Sequence, residues 1–264
     1  MYYIGCSGWH YRHWLRNFYP DDLEPSQWLE YYSKFFNSVE VNSTFYNWPP
    51  EEVFDGWRER VNKDFKYTIK VHNQITHRRK FNETYSFISR FYDLGKRLDG
   101  KLGTFLFQLP PSIKKDMEFL ERACDQFNVK KYKNVFEFRD ASWYDVEVFD
   151  FMKKKKVVFC CIDALNYPKH VVSTSDTFYI KLLGKEYRHD YSWDELLEIE
   201  KKIKALKRVK DYYIYFDNDY EGNAVKNAKM MQQIFEIKGN KGEEDETGKT
   251  SVAGKAEKAK KKRK

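Results

Sequence analysis

Four ionisable residues lie in or directly after short apolar runs, where they could supply an acid, a base or a nucleophile. They are Glu40 in SVEVN, Lys70 in KYTIKV, Glu137 in VFEFRD and Asp163 in VVFCCID. Burial of a charge costs free energy unless the charge is paired or hydrated, so this recurrence predicts a shared catalytic site. Two carboxylates with separated pKa values can act as general acid and general base. The leading hypothesis is therefore a hydrolase or lyase with Glu40 and Glu137 as that pair.

Two other chemistries use the same residues. Lys70 could form a Schiff base, but this needs a lowered lysine pKa, which a nearby Glu40 would oppose. Carboxylate oxygens suit Mg²⁺ or Mn²⁺, and the ligands would then be Glu40, Glu137, Asp163 and Asp217. Because Lys70, Arg139 and Lys181 already neutralise these acids, a site without metal or cofactor ranks higher.

The cations and aromatic residues around these four positions indicate the kind of ligand. Lys70, Arg139 and Lys181 can hold a phosphate or carboxylate group, and aromatic rings can stack on a sugar or a base. We therefore expect a small anionic, phosphate-bearing or nucleotide-like substrate. The predicted substrate-binding residues are Ser7, Trp9, Tyr11, Asn42, Tyr46, His77, Gln108, Arg139, Trp143, Lys181, Asp217 and Asn218.

Regular alternation of β-rich and helical segments predicts the elements that position these residues. The predicted strands are 2–6, 38–42, 66–71, 104–108, 134–138, 157–162, 177–183 and 211–216, with amphipathic stretches between them. Eight strands over 1–237 indicate one domain, an α/β fold with parallel strands closed into a (β/α)8 TIM-type barrel. Side chains alternate along a strand, so each polar residue at a strand's end would face inward, at the end where such barrels carry their active sites.

Composition excludes several classes of protein. The 264 residues include 21 Phe, 20 Tyr and 7 Trp, too many for a disordered chain. No apolar run is long enough to span a membrane, and the first residues lack the features of a secretory signal. The 4 Cys form no CxxC pair, which argues against a disulfide scaffold or a zinc ribbon. We therefore expect a cytoplasmic protein with no membrane partner.

Net charge is concentrated at the C-terminal end. Residues 238–264 hold 10 of the 48 Lys and Arg and 5 of the 40 Asp and Glu, and so contribute +5 of the net +8. This lysine-rich segment is of low complexity and is predicted to be a disordered tail. Such a tail is a solvated end or an electrostatic arm for nucleic acid. The alternative hypothesis is therefore a nucleic-acid-binding protein whose barrel engages a base or strand end.

Six distinctive motifs occur in order along residues 1–237. They are GCSGWHYRHW (5–14), WLEYYSKFFNSVEVNSTFYNWP (28–49), FKYTIKVHNQITH (65–77), LGTFLFQLPPS (102–112), FEFRDASW (136–143) and IYFDNDYEGNAVKNA (214–228). Together they resemble the YecE-like family, domain of unknown function 72. The resemblance implies a TIM-type barrel and implies no settled reaction.

Two segments depart from the pattern of that family. Residues 179–184 are YIKLLG, where the family usually has an arginine and often a histidine, as in YVRFHG. Residues 216–219 are FDND, where FNND is usual. Lys181 replaces the charge of the arginine without its two-pronged geometry, and Leu183 supplies no polar group. The resemblance therefore implies a site that differs from that of the family on this side.

Overall fold

A computed structural model of the protein describes residues 1–236, so the predicted tail, 238–264, lies outside the described residues. Within 1–236, eight strands form one sheet. Their bounds are β1 Tyr2–Cys6, β2 Ser38–Val41, β3 Lys66–Lys70, β4 Leu102–Gln108, β5 Asn134–Glu137, β6 Val158–Ala164, β7 Thr177–Gly184 and β8 Asp211–Phe216. All eight correspond to predicted strands, to within a few residues at their ends.

Helices follow the strands and cover the outside of the sheet. In the described chain they are α1 Trp28–Phe35, α2 Ser43–Tyr46, α3 Glu51–Glu59, α4 Tyr85–Lys96, α5 Met117–Cys124, α6 Val146–Lys155, α7 Trp193–Lys204 and α8 Asn223–Ile234. Side chains fix several helix starts: Asp116 accepts a hydrogen bond from the amide of Phe119, and Ser192 with Glu195 forms a capping box. None of the helices in 1–236 combines the length and apolarity needed to cross a bilayer.

Strand pairing is parallel throughout, and neighbours in the sheet are neighbours in the sequence, with β8 returning to β1. The buried side chains form two separate clusters, one on each face of the sheet. Val39, Ile69 and Phe136 belong to the core between sheet and helices, whereas Leu106 and Val135 belong to a second cluster inside the barrel. The predicted closed (β/α)8 barrel is confirmed.

Side chains, more than backbone, close the barrel between β1 and β2. In 1–236 the backbone pairing there is limited to a bridge between Ser7 and Glu40. The Tyr32 hydroxyl accepts from the Cys6 amide at 2.8 Å and donates to the Ser38 carbonyl at 2.9 Å. Asn37 bonds the Ile4 amide and the Tyr2 carbonyl. Gly5 permits this approach, because a Cβ there would lie 1.9 Å from the Ser38 oxygen.

Polarity of the barrel interior increases toward the C-terminal ends of the strands. Tyr3 and Tyr213 stack at 4.8 Å near the N-terminal end. Above them, the Tyr215 hydroxyl contacts the hydroxyls of Ser38 and Thr68. Every hydroxyl of this middle layer thus has a partner, as buried polar groups require. The next layer toward the C-terminal end is charged and forms the floor of the candidate site.

Loss of the Tyr32 hydroxyl tests the closure of the barrel. Tyr32→Phe keeps the ring but leaves the Cys6 amide and the Ser38 carbonyl unpaired, and we expect it to lower the free energy of unfolding by about 1–3 kcal/mol. The matched control is Tyr31→Phe, since the Tyr31 hydroxyl makes no hydrogen bond in 1–236. Urea denaturation measures both variants. Equal stability of the two would contradict this role of Tyr32.

Candidate functional site

A cavity of about 710 Å³ opens at the C-terminal ends of the strands, and we call it the mouth cavity. It combines side chains from strand ends with side chains from the loops and short helices that follow them. The predicted site residues that line it are Tyr11, Asn42, Tyr46, Lys70, His77, Gln108, Arg139, Lys181 and Asp217. Phe45, Asn73, Arg78, Pro111, Tyr167 and Tyr187 complete the lining.

Lys181 is the centre of the charged layer beneath the cavity. Its Nζ lies 2.8 Å from Glu40 Oε1, 3.3 Å from Asp217 Oδ2 and 3.4 Å from Glu137 Oε2. We call these four residues the Lys181 cluster. Burial opposes the charge of the ammonium, but Asp217, Glu137 and Glu40 together raise the pKa of Lys181 well above its usual value. One ammonium therefore compensates carboxyl groups from three strands.

Glu40 is fully committed to partners within the barrel. Its Oε1 accepts from Ser7 Oγ at 2.9 Å as well as from Lys181. Its Oε2 accepts from the Tyr179 hydroxyl. Glu40 is completely buried and is absent from the cavity lining. Ser7, predicted as a substrate contact, is likewise absent from the cavity lining and donates its hydroxyl hydrogen to Glu40.

Glu137 also lies under the cavity, and its environment keeps it ionised. Arg139 pairs with Oε1, and Lys181 approaches Oε2. Burial opposes ionisation, but Arg139, Lys181 and Lys70 outweigh it and lower the pKa of Glu137 to about 2. Neither oxygen accepts a well-directed hydrogen bond in 1–236, so charge pairing alone stabilises this carboxylate.

Lys70 differs from Lys181 because it faces the cavity without an acidic partner. Within 1–236 it forms no ion pair, and its Nζ lies 4.4 Å from the centre of the Phe45 ring. Burial, and next the positive charge of Lys181, lower the pKa of Lys70. The cavity thus holds a partly desolvated amine that ionises less readily than a lysine in water.

Asp217 is the one carboxylate of the described lining that reaches the cavity. It is the first residue after β8, and its side chain is 21% exposed. Burial raises the pKa of Asp217, and the opposing effect of Lys181 does not cancel this. A carboxyl group with a raised pKa next to an amine with a lowered pKa is an arrangement suited to proton transfer.

Loops supply further cations and aromatic rings to the cavity wall. Arg78 ends the single-turn π-helix Gln74–Arg78 and is exposed. Arg139 donates to the Tyr187 hydroxyl at 3.0 Å. Tyr187 and Tyr46 remain 46% and 66% exposed, so their rings are accessible to a ligand.

Unpaired polar atoms accompany these groups. The Oδ1 atoms of Asn42 and Asn73 and the Nε of Arg139 are buried and have no hydrogen-bond partner in the described chain. Such atoms are uncommon in folded proteins and call for an explanation. The Glu137 oxygens below the cavity, and Tyr144 and Asn218 outside it, also have unpartnered atoms. The three atoms in the lining are positions where a ligand could complete the hydrogen bonding.

Four predicted site residues lie elsewhere. Asp163 faces outward, because the interior positions of β6 are Cys160, Ile162 and their neighbours of the same parity. There its Oδ1 accepts from Tyr191 at 2.9 Å. The expected convergence of Asp163 with Glu40, Lys70 and Glu137 is therefore wrong.

The other three residues are held in packing or loop contacts. Trp143 is completely buried in the outer core and stacks on Phe138 at 4.4 Å. Trp9 packs edge-on against Trp57 at 5.8 Å. Asn218 donates to the His189 carbonyl at 2.6 Å and to Asn227 at 2.7 Å. None of Trp9, Trp143 and Asn218 lines the mouth cavity.

Several residues that contribute to the candidate site were not predicted from the sequence. Tyr179 shares the inward face of β7 with Lys181, so strand alternation alone would have identified it. Arg78 ends a single-turn helix, and Tyr167 and Tyr187 belong to loops, where no periodicity indicates which side chain turns toward a cavity. Within 1–236, no group of three or more His, Cys, Asp and Glu is arranged to hold a metal ion. Of the four carboxylates considered as ligands, Glu40, Glu137 and Asp217 meet Lys181 instead, and Asp163 faces outward.

Removal of the central ammonium tests the Lys181 cluster. Lys181→Met leaves Glu40, Glu137 and Asp217 without their shared cation, and we expect a loss of about 3–5 kcal/mol in the free energy of unfolding at pH 7. The control is Lys201→Met, which removes an ion pair with Glu198 in which the two side chains are 66% and 63% exposed, and should cost under about 1 kcal/mol.

The deficit of Lys181→Met should also depend on pH. Ionised Glu137 stabilises the fold above its unfolded pKa of 4.5, and this contribution is lost as the pH falls toward the folded value of about 2. Removing Lys181 therefore costs less at pH 4 than at pH 7. A deficit that is the same at both pH values, measured by urea denaturation, would contradict the proposed pairing.

Comparison with known proteins shows the same architecture over nearly the whole chain. A DUF72 family protein from Thermotoga maritima MSB8 superposes with a TM-score of 0.82 at 28% identity, covering 89% of this chain and 99% of that one. A DUF72 family protein from Enterococcus faecalis V583 superposes with a TM-score of 0.79 at 19% identity, covering 93% and 100%. The second likeness concerns the fold alone.

Sequence relatives agree with the structural ones. The UPF0759 protein YunF of Bacillus subtilis (strain 168) is 23% identical over 274 residues, covering 90% of this chain and 96% of YunF. The UPF0759 protein YecE of Escherichia coli (strain K12) is 31% identical over 113 residues, 43% of this chain and 39% of YecE. The family model described as "Protein of unknown function DUF72" matches residues 3–251. The chain therefore belongs to the DUF72 family.

Proposed function

We propose that the mouth cavity binds a small phosphate-bearing substrate and catalyses a metal-independent lyase or hydrolase reaction on it. The observation that carries this proposal is the charge of the lining. Lys70, Arg78, Arg139 and Lys181 come from different elements and face one cavity. Glu40 and Glu137, the carboxylates that pair with Lys181 and Arg139, lie below the cavity. Lys70 and Arg78 form no ion pair in 1–236. An anion that enters the cavity therefore meets uncompensated positive charge.

Proton transfer in this proposal is assigned to groups that reach the cavity. Glu40 and Glu137, the acid and base expected from the sequence, are buried and paired, so we propose that they position Lys181 and Arg139. Asp217, with its raised pKa, would act as the general acid, and Lys70, with its lowered pKa, as the general base. Hydrolysis of a glycosidic bond needs two carboxylates that flank the substrate. One carboxylate beside an amine favours a lyase.

A second candidate, nucleic-acid binding, is supported by the rim. Tyr46 and Tyr187 are exposed beside Arg78 and Arg139, and rings beside cations are typical of surfaces that bind single strands. The basic segment 238–264 would add sequence-independent affinity. Binding of short oligonucleotides by full-length protein that Tyr46→Ala abolishes, together with no detectable binding of inorganic pyrophosphate, would favour this candidate over the small-molecule enzyme.

Adjacent arginines provide a matched test of anion binding. Arg78 lines the cavity, whereas Arg79 lies over the Phe87 ring outside it, and both are exposed. We expect Arg78→Gln to weaken the binding of inorganic pyrophosphate by about tenfold or more, because a charge-assisted contact is lost, and Arg79→Gln to leave it nearly unchanged. Isothermal titration calorimetry measures both. Equal effects of the two substitutions would reject the cavity as the anion site.

Asp217 makes anion binding depend on pH. Because its pKa is raised, Asp217 is neutral over a wider pH range than an ordinary aspartate, and its ionisation adds a repulsive charge at higher pH. We expect the affinity for sulfate, whose own charge is constant here, to fall as the pH rises. Lys70 and His77, with lowered pKa values, lose charge in the same direction.

The variant Asp217→Asn separates these contributions. It removes the repulsive charge and should flatten the pH dependence, leaving only the part due to Lys70 and His77. His77→Gln, which leaves Asp217 unchanged, serves as the matched comparison. A sulfate titration series that is as steep in Asp217→Asn as in the unaltered protein would remove Asp217 from the binding site.

A further inference from the structure

Lys70 is a buried lysine that faces the cavity without an ion-pair partner among the described residues. Only 8% of the residue is exposed, and its ammonium lies over the Phe45 ring at 4.4 Å. No described residue forms an ion pair with it, in contrast to Lys181, which contacts three carboxylates. Lys181 is therefore held by ion pairs within the barrel, whereas Lys70 faces the cavity without one.

Neighbouring carboxylates do not capture Lys70. The oxygens of Glu40 accept from Ser7, Tyr179 and Lys181. Those of Glu137 face Arg139 and Lys181. Glu137 and Glu40 still favour the charged form of Lys70, but neither pairs with it directly, and burial and Lys181 outweigh them. Burial and the charge of Lys181 lower the pKa of Lys70, which increases the fraction of neutral amine near pH 7.

We propose that Lys70 forms an imine with the carbonyl carbon of an aldehyde or ketone that carries a phosphate group. This inference rests on the proposed function, specifies its substrate class and gives Lys70 the part of nucleophile in place of general base, with Asp217 as the proton donor and acceptor. The neutral Nζ forms a C–N bond to the carbonyl carbon as the carbonyl π bond breaks. The oxygen takes a proton from Asp217, and the nitrogen gives one up to the resulting carboxylate, which leaves a neutral carbinolamine. Asp217 then protonates the hydroxyl group, the C–O bond breaks, and water leaves as the nitrogen lone pair forms the C=N bond of a protonated imine. The amine, the carbonyl compound and one proton give the protonated imine and water, with no change of oxidation state.

Other groups of the lining suit the rest of such a substrate. Arg78 and Arg139 would hold the phosphate, with Arg139 oriented by Tyr187. The unpaired Oδ1 atoms of Asn42 and Asn73 can accept hydrogen bonds from hydroxyl groups of a sugar-like carbon chain. The protonated imine withdraws electrons from the adjacent carbon. Cleavage or formation of a carbon–carbon bond next to the carbonyl is the reaction class that this arrangement serves.

Reductive trapping tests the imine directly. Pyridoxal phosphate, a phosphate-bearing aldehyde, is added to the full-length protein in equimolar amount and reduced with borohydride, and the labelled peptides are identified by mass spectrometry. We expect Lys70 to be labelled about tenfold more than any other lysine, because its amine is the more often neutral. Lys70→Arg keeps the charge and should lose this label, whereas Lys66→Arg, on the same strand, should retain it. Labels spread over surface lysines, at the same level in Lys70→Arg, would overturn the proposal.

Competition distinguishes failure of this inference from failure of the proposed function. Excess inorganic pyrophosphate should protect Lys70 from pyridoxal phosphate, and pyridoxal without phosphate should label it about tenfold less, the loss of one charge-assisted contact. Pyrophosphate binding with no Lys70 adduct would refute the imine and leave the anion site intact. Equal labelling by both aldehydes, without protection, would support the amine and refute the phosphate-binding function.

Discussion

The contact of one buried ammonium with three carboxylates determines how the C-terminal end of the barrel is built. Lys181 extends from β7 and meets Glu40 from β2, Glu137 from β5 and Asp217 after β8. Each carboxylate would be costly to bury alone. Lys181 compensates Glu40 and Glu137 together with their other partners, whereas Asp217 keeps a raised pKa. The cluster thereby fixes the relative position of strands that are far apart in the sequence. It also leaves Lys70 and Arg78 uncompensated above it.

Contacts in the rest of the barrel support the Lys181 cluster. Tyrosines and small hydroxyl residues fill the lower interior, so that no charge is buried there without a partner. Tyr32 and Asn37 close the sheet between β1 and β2 and bring Ser7 against Glu40. The floor of the cavity is consequently buried and charged, whereas much of its wall comes from loops and short helices. In barrels of this kind the strands support a site whose side chains vary with the loops.

Sequence reasoning succeeded where strand periodicity determines geometry. The alternation in β2, β3 and β5 correctly placed Glu40, Lys70, Glu137 and Arg139 toward the barrel axis. In β6 both faces are apolar, so alternation indicates that Phe159, Cys161 and Asp163 share a face but does not indicate which face is inside. Trp143 looked like a ligand platform by residue type, yet its ring completes the outer core against Phe138. A sequence also does not indicate how far below the cavity an inward side chain lies. For this reason Glu40 and Glu137 were predicted as accessible acids.

A direct view of an anion in the mouth cavity decides the central claim. Crystals of the full-length protein, soaked in tungstate and measured at the tungsten absorption edge, locate a phosphate-like anion by its anomalous scattering. The account predicts a strong peak inside the cavity, within hydrogen-bonding distance of Arg78 or Arg139 and on the side of Lys70. Peaks confined to other surfaces, with none in the cavity, would contradict it.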